Sequence, residues 1–342
     1  ILLLAFGIFF ARDLLILLHT KDELIEGAVS YLHVYSLGMP AVALYNFGNA
    51  VFSAAGNTKK PLQYLTLAGV VNIVLNLFFV IVLKIDVCGV AAASAISQYL
   101  SAGLLLKDLF CTKELYGMRL TELKFTGEKA GKILKLGVPS AFQYMIYSVA
   151  NLFVQTGVNT FSATVVAGNS AAANADNLVY DLMAAFYTVC GSFMGQNLGA
   201  GKRDRVIKSY LICLLYSFAA GLIAGLLLVA FGTQFLGLFA NEKAVIDAGM
   251  DRLFVMGLVY CISAFMDCTT AATRALGKTV VPTIIMILGS CVFRIVWIYT
   301  VFAVFHTTTA LYLLYGVSWM ITAIPEIIYF IVIYRRRFAI GK

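Results

Sequence analysis

The sequence predicts an all-α, polytopic membrane protein: two six-helix lobes related by pseudo-two-fold symmetry, ten helices in this chain and the first two missing. Three observations predict it. The chain of 342 residues is 61% hydrophobic and 12% charged, whereas a soluble domain is about 45–50% apolar and about 25% charged. Its basic residues sort onto one side of a ten-span topology. Residue i also resembles residue i+221 over a long gap-free stretch, in which Gly56-Asn57-Thr58-Lys59-Lys60-Pro61 lands on Gly277-Lys278-Thr279-Val280-Val281-Pro282. Such a repeat in a membrane protein suggests two homologous bundles facing one another, as in many secondary transporters.

Ten apolar segments follow one another at 1–18, 29–54, 62–83, 88–106, 137–160, 171–194, 208–231, 249–273, 280–304 and 309–334. The first has neither the basic flank nor the small-residue cleavage site of a signal peptide, so it reads as a span. The Gly56–Pro61 turn separates the second from the third. The fourth gives way to the longest polar stretch, Lys107 to Lys135, and the fifth opens at Gly137-Val138-Pro139. The sixth ends in Gly195-Gln196-Asn197-Leu198-Gly199-Ala200-Gly201-Lys202-Arg203, whose three glycines permit a tight turn. The seventh is almost wholly apolar, and the Gly277–Pro282 turn separates the eighth from the ninth. Pro325 lies inside the tenth and can kink it. Residues 1–106 thus form a truncated first lobe, 107–135 a linker, and 136–342 a complete second lobe with a basic tail. At the 221 offset the partners of residues 130–221 fall before residue 1, so about 90 residues are expected to precede this chain, enough for two spans of about 20 residues with loops.

The net charge of +8 is a matter of topology. Alternate loops carry Lys59 and Lys60; the lysines and Arg119 of 107–135; Lys202, Arg203, Arg205 and Lys208; Arg274 and Lys278; and Arg335, Arg336, Arg337 and Lys342. The opposite loops carry Lys21, Lys84 and Lys243 among Asp22, Glu23, Glu26, Asp86, Glu242 and Asp247. The positive-inside rule makes the basic side and the C-terminus cytoplasmic, in a multi-pass protein of the cytoplasmic membrane. A nucleic-acid partner is not expected. Seven scattered cysteines and three scattered histidines show no metal-ligand spacing.

Gly195-Gln196-Asn197-Leu198-Gly199-Ala200-Gly201 resembles the G-Q-x-x-G-A-G loop of multidrug and toxic compound extrusion (MATE) transporters. Gly137-Val138-Pro139-Ser140-Ala141 is similar to their G-x-P-S-A, and Arg274-Ala275-Leu276-Gly277-Lys278-Thr279 to their R-G-L-G-x-T turn. The order and helical context of these motifs carry the resemblance over nearly the whole chain, from the family's third helix to its twelfth. It implies two six-helix lobes around a V-shaped cavity and cation-coupled antiport of amphipathic, often cationic compounds, without a cofactor beyond H⁺ or Na⁺. Two family features are missing. The stretch Gln143–Ser148 has no acid where some members carry a coupling Glu, and the family's first helix, which holds a coupling Asp in others, is outside the chain. The coupling ion stays open.

Polar residues inside spans mark sites, because burying them in lipid is costly. The fifth segment holds Gln143, Tyr147, Asn151, Gln155 and Asn159 at steps of four, which keeps them near one helical face. The stripe reads as a cavity wall or as interhelical hydrogen bonding. The sixth repeats the pattern with Asn174, Asn177 and Asp181, while Asp176 reads as a solvated end residue. Asp267, inside the eighth segment, is the first choice for cation coupling and Asp181 the second. Asn46 is the repeat mate of Asp267 and a further cavity candidate. The other reading of Asp267 is a permanent pair with Arg294 or Arg274. Glu326 follows Pro325 and is expected to form a structural ion pair with Arg294.

Other functions fit less well. Gly277-Lys278-Thr279 imitates the end of a nucleotide-binding loop, but Ala272 stands where its first glycine must be. No nucleophile, base and orienting group cluster as an enzyme requires. The alternatives to a monomeric exporter of small molecules are a lipid-linked oligosaccharide flippase of the same superfamily and a non-transporting receptor or structural membrane protein.

Overall fold

The computed structural model describes residues 1–17, 22–122 and 124–339, which are helical with no strand among them. They form ten rods: α1 (2–17), α2 (22–54), α3 (Lys59–Val82), α4 (Val87–Cys111), α5 (Gly127–Val158), α6 (Ala163–Gly199), α7 (Arg203–Leu236), α8 (Lys243–Ala275), α9 (Val280–Phe305) and α10 (Thr308–Ala339). Seven helices among the described residues, α3, α4 and α6 to α10, are long and apolar enough to cross a membrane. The break at Phe10 divides α1, Gly38 divides α2 just before Pro40, and α5 begins with the charged segment Glu128–Lys135.

The chain divides into two compact units, residues 1–125 and 126–342. Helix α4 runs on to Cys111 and α5 starts at Gly127, so of the expected 107–135 linker only 112–126 lies between helices. The first unit packs Ala41, Tyr45 and Phe52 of α2 against Ala102, Leu105 and Leu109 of α4. Helix α3 buries only Pro61 and Ala68 in its regular part, leaving Leu65, Val70, Ile73 and Leu77 exposed. An apolar helix with exposed apolar flanks suits lipid, where the backbone is satisfied internally and side chains need no water.

In the second unit α6, α7, α8 and α10 surround a core of Ala172, Ala175, Met183, Leu253, Met256 and Ala264. Helices α7 and α8 touch backbone to backbone at Gly225 and Gly257: a Cβ on either would overlap the carbonyl oxygen of the other. Small residues permit this close approach, which replaces the hydrophobic drive that helices lack in lipid.

The repeat is visible in local geometry. Gly56 and Gly277 have φ of 83° and 80°, the left-handed region that favours glycine. The amides of Gly56 and Asn57 donate to Ser53 and Phe52, and those of Gly277 and Lys278 donate to Arg274 and Thr273, at the same 221 offset. The helix after each turn carries a π-helical stretch near its end, Phe78–Val82 closing α3 and Ile298–Phe302 just before the last turn of α9. A second such stretch, Ile287–Val292, has no counterpart in α3.

Candidate functional site

Helices α5, α6, α8, α9 and α10 of the second unit enclose a cavity of about 540 Å³. Its walls follow helical periodicity. From α8 come Arg252, Met256, Tyr260, Ser263, Asp267, Thr270 and Arg274, at steps of three and four. From α6 come Asn169, Ala173, Asp176, Tyr180, Met183 and Tyr187, again at threes and fours. This spacing holds side chains on one face over several turns.

Most of the predicted stripe on α5 lines the cavity: Gln143, Tyr147, Asn151 and Gln155 are in its wall, as is Asn177 of α6. Asn174 and Asp181 are not. Both are exposed, each one residue from a lining position and so about 100° around the helix. The Asn174 amide donates to Ser170 and Ala171 carbonyls of its own helix. Asn46 is exposed and lies in the first unit.

At one end, Asp176 accepts from the Arg252 guanidinium and the Tyr260 hydroxyl. Arg252 also donates to Asn169 and stands over the rings of Tyr312 and Tyr315, 5.3 and 5.4 Å from their centroids. The expectation of a solvated Asp176 is therefore corrected: helix α6 continues well before it, and its carboxylate joins two helices. Arg252 escaped the sequence reading, although its place eight residues before Tyr260, on the helical face that carries Asp267 and Arg274, was available as a signal.

Behind the middle of the wall, Arg294 is fully buried. Its Nη1 donates to Asn151 Oδ1 at 2.9 Å, its Nη2 to the Tyr147 hydroxyl at 2.8 Å, and its Nε to Ser318 at 3.2 Å. The rings of Tyr147 and Tyr315 each lie 4.7 Å from the guanidinium carbon. Neutral oxygens and aromatic faces thus surround this cation. The expected Arg294–Glu326 pair does not form. Glu326 is fully buried two helical turns beyond Ser318, and neither carboxyl oxygen has a hydrogen-bond partner among the described residues. The reach from Ser318, which holds Arg294, to Glu326 is about 12 Å along the helix, too far for contact.

Asp267 is half-buried in the wall and makes neither hydrogen bond nor ion pair among the described residues, so neither Arg294 nor Arg274 holds it permanently. Towards the C-terminal end of α8, Arg274 Nη2 donates to Gln143 Oε1 at 2.6 Å, and the Thr283 hydroxyl donates to the same oxygen at 3.4 Å. Tyr180, Tyr187 and Trp319 add aromatic surface, with the Tyr187 hydroxyl donating to Tyr180. Among the described residues no three His, Cys, Asp or Glu side chains group as metal ligands. An enclosure of this size, mostly apolar with a few convergent polar groups, has the character of a small-molecule site.

Comparison with known proteins agrees with this architecture. A probable multidrug resistance protein of Bacillus subtilis, YpnP, is 26% identical over 296 residues, covering 85% of this chain and 65% of its own length. An FAD transporter of Shewanella oneidensis is 21% identical over 247 residues, covering 71% of this chain and 55% of that protein. The chain thus spans less than two thirds of the length of these curated relatives. An outward-facing multidrug resistance MATE family transporter superposes with a TM-score of 0.89 at 20% identity, covering 98% of this chain and 75% of that one. A MOP superfamily transporter from Pyrococcus furiosus superposes at 0.90, also at 20% identity, covering 97% and 75%. These structures share the fold. The MatE family model matches residues 1–78 and 139–300, well over half of the sequence. The chain therefore belongs to the MatE, or multidrug and toxic compound extrusion, family of multi-pass helical membrane proteins.

Proposed function

We propose that the full-length protein is a cation-coupled antiporter that exports amphipathic compounds across the cytoplasmic membrane by alternating access, with its basic loops and C-terminus in the cytoplasm. Asp267 is the observation that carries the coupling. Coupled export needs a group whose ion occupancy changes with conformation, so that each state binds ion and substrate differently. Asp267 has the chemistry to exchange H⁺ or Na⁺, it lines a cavity large enough for a small molecule, and it has no hydrogen-bond or ion-pair partner among the described residues. The multidrug resistance relatives support the export of small molecules. The fit to a lipid-linked oligosaccharide flippase is poorer, because a diphosphate calls for several open cations and Arg252 is already paired with Asp176.

The test is dye efflux by the full-length protein in vesicles carrying either a proton or a sodium gradient. The gradient that drives efflux names the ion. Asp267→Asn keeps size and most hydrogen bonding, and it should retain expression and some dye binding while losing gradient-driven efflux. Pumping by this variant at the wild-type rate would make Asp267 a packing residue and place coupling elsewhere.

A further inference from the structure

On the basic side of the second unit, cations gather at the seam between α7 and α10, away from the cavity. Arg203 of α7 stands over the rings of Tyr334 and Phe338 of α10, 5.9 and 5.5 Å from their centroids. Its Nη1 also donates to the Phe338 carbonyl at 3.5 Å. Further along, the rings of Tyr210 and Phe330 meet with centroids 4.6 Å apart, so the two helices run antiparallel. One residue on from these contacts, both right-handed helices have turned by about 100° toward the same side of the seam. That side carries Lys208, Leu211 and Leu215 of α7 and Ile328, Ile331 and Arg335 of α10, all exposed. Steps of three and four keep each set on one helical face. The opposite side is closed by α8 and the turn after it, where the Cys268 thiol donates to the Cys213 carbonyl and Arg337 to the Leu276 carbonyl. The seam is therefore a groove facing away from the bundle, apolar along its length and basic at one end. The Lys208 and Arg335 side chains have neither hydrogen bond nor ion pair among the described residues.

We propose that this groove binds an anionic phospholipid, with its phosphate on Arg203, Lys208 and Arg335 and an acyl chain along the apolar stripes of α7 and α10. Cations alone attract any anion, but the stripes that end at these cations select an anion that carries chains. The change from exposed Leu and Ile to exposed Lys and Arg within one helical turn is the change from hydrocarbon to headgroup. Basic pockets between spanning helices suit such headgroups. A guanidinium offers a phosphate planar paired donors, and the rings of Tyr334 and Phe338 already hold that of Arg203 in place. Asp204 lies on the same side and is also exposed. It offsets one of the three cations and leaves the end of the groove positive, so a net negative lipid is preferred to a zwitterionic one. The site is separate from the cavity and does not rest on the exporter reading.

The test places a bimane fluorophore in the groove, on Ile331→Cys in a cysteine-free background of the full-length protein in phosphatidylcholine vesicles. Brominated phosphatidylglycerol or brominated phosphatidylcholine is then mixed in as a quencher. Half-maximal quenching should need about tenfold less of the anionic lipid, since each Lys or Arg near the headgroups is worth about fivefold and Asp204 opposes them. Lys208→Gln and Arg335→Gln should each lower that preference about fivefold, and Asp204→Asn should raise it. Arg336→Gln should leave it unchanged, because position 336 is turned about 200° from the Tyr334 contact with α7. High salt should weaken the preference without abolishing quenching by either lipid. Equal quenching by the two lipids overturns the proposal. A loss in Arg336→Gln as large as in Arg335→Gln reduces the site to diffuse surface charge and also overturns it. Relief of the quenching by glycerol 3-phosphate would show that the phosphate alone is bound and that the groove has no part. The comparison of the two lipids needs none of the charge variants, so a misfolded one does not decide the outcome.

Discussion

Both Nε and Nη2 of Arg252 on α8 donate to one carboxylate oxygen of Asp176 on α6, and the second carboxylate oxygen accepts from Tyr260. The pair closes one end of the cavity and is nearly buried on the arginine side. Its charges are therefore mutually dependent. Removing Arg252 alone, as in Arg252→Met, leaves a buried carboxylate without its cation and should cost about 3–5 kcal/mol. The double variant Arg252→Met with Asp176→Leu should recover most of that loss. Thermal unfolding of the four proteins of this cycle in detergent measures it; additive losses would show that the pair does not couple.

Arg294 depends on neutral partners in the same manner. Asn151→Leu removes the acceptor of Nη1 and should destabilise by about 1–3 kcal/mol, the cost of leaving a buried donor alone. Tyr147→Phe removes the acceptor of Nη2 but keeps the ring, so it should cost less than Tyr147→Leu, which loses the cation–π face as well. Unfolding midpoints of the three variants give the order.

Two glycines resist replacement for different reasons. At Gly277 nothing stands within 4 Å of an added Cβ, so Gly277→Ala should cost only the backbone penalty of a left-handed residue, about 1–2 kcal/mol. At Gly225 the added methyl meets the Gly257 backbone of α8, so Gly225→Ala must push two helices apart. Overpacking typically costs about 1–3 kcal/mol and more where backbone must move. Thermal stability should therefore fall further for Gly225→Ala, and restoring space elsewhere on α7 should not rescue it.

The cavity wall predicts a labelling pattern. In a cysteine-free background, Cys at 151, 155 or 177 should react with a polar thiol reagent and be protected by a bound dye. Cys at 152, 174 or 181 should show no dye protection, since those positions lie off the lining faces. Protection at 181 but not at 177 would turn α6 around and return Asp181 to the cavity.

Much of this protein is legible in one dimension. Seven of the ten rods among the described residues follow from apolar runs of membrane-spanning length, and the turns at Gly56 and Gly277 from a motif that suits glycine's freedom at positive φ. The α5 stripe was readable because its polar residues recur every four positions, a local property of any helix. Which face of α6 is inward was not, because Asn174, Asp176, Asn177 and Asp181 all suit a polar wall, and only the packing of α7 and α8 against α6 selects among them. The same holds for charge pairing. Sequence offers Arg294 the acid Glu326 and offers Asp267 two arginines, but partners are chosen by distance between helices far apart in the chain. Tertiary structure gives Arg294 to Asn151 and Tyr147, Arg274 to Gln143 and Asp176 to an unsuspected Arg252, and leaves Asp267 and Thr270 on the cavity wall without hydrogen-bond partners among the described residues. Periodicity is local and survives in a sequence; the choice of partner is a property of space.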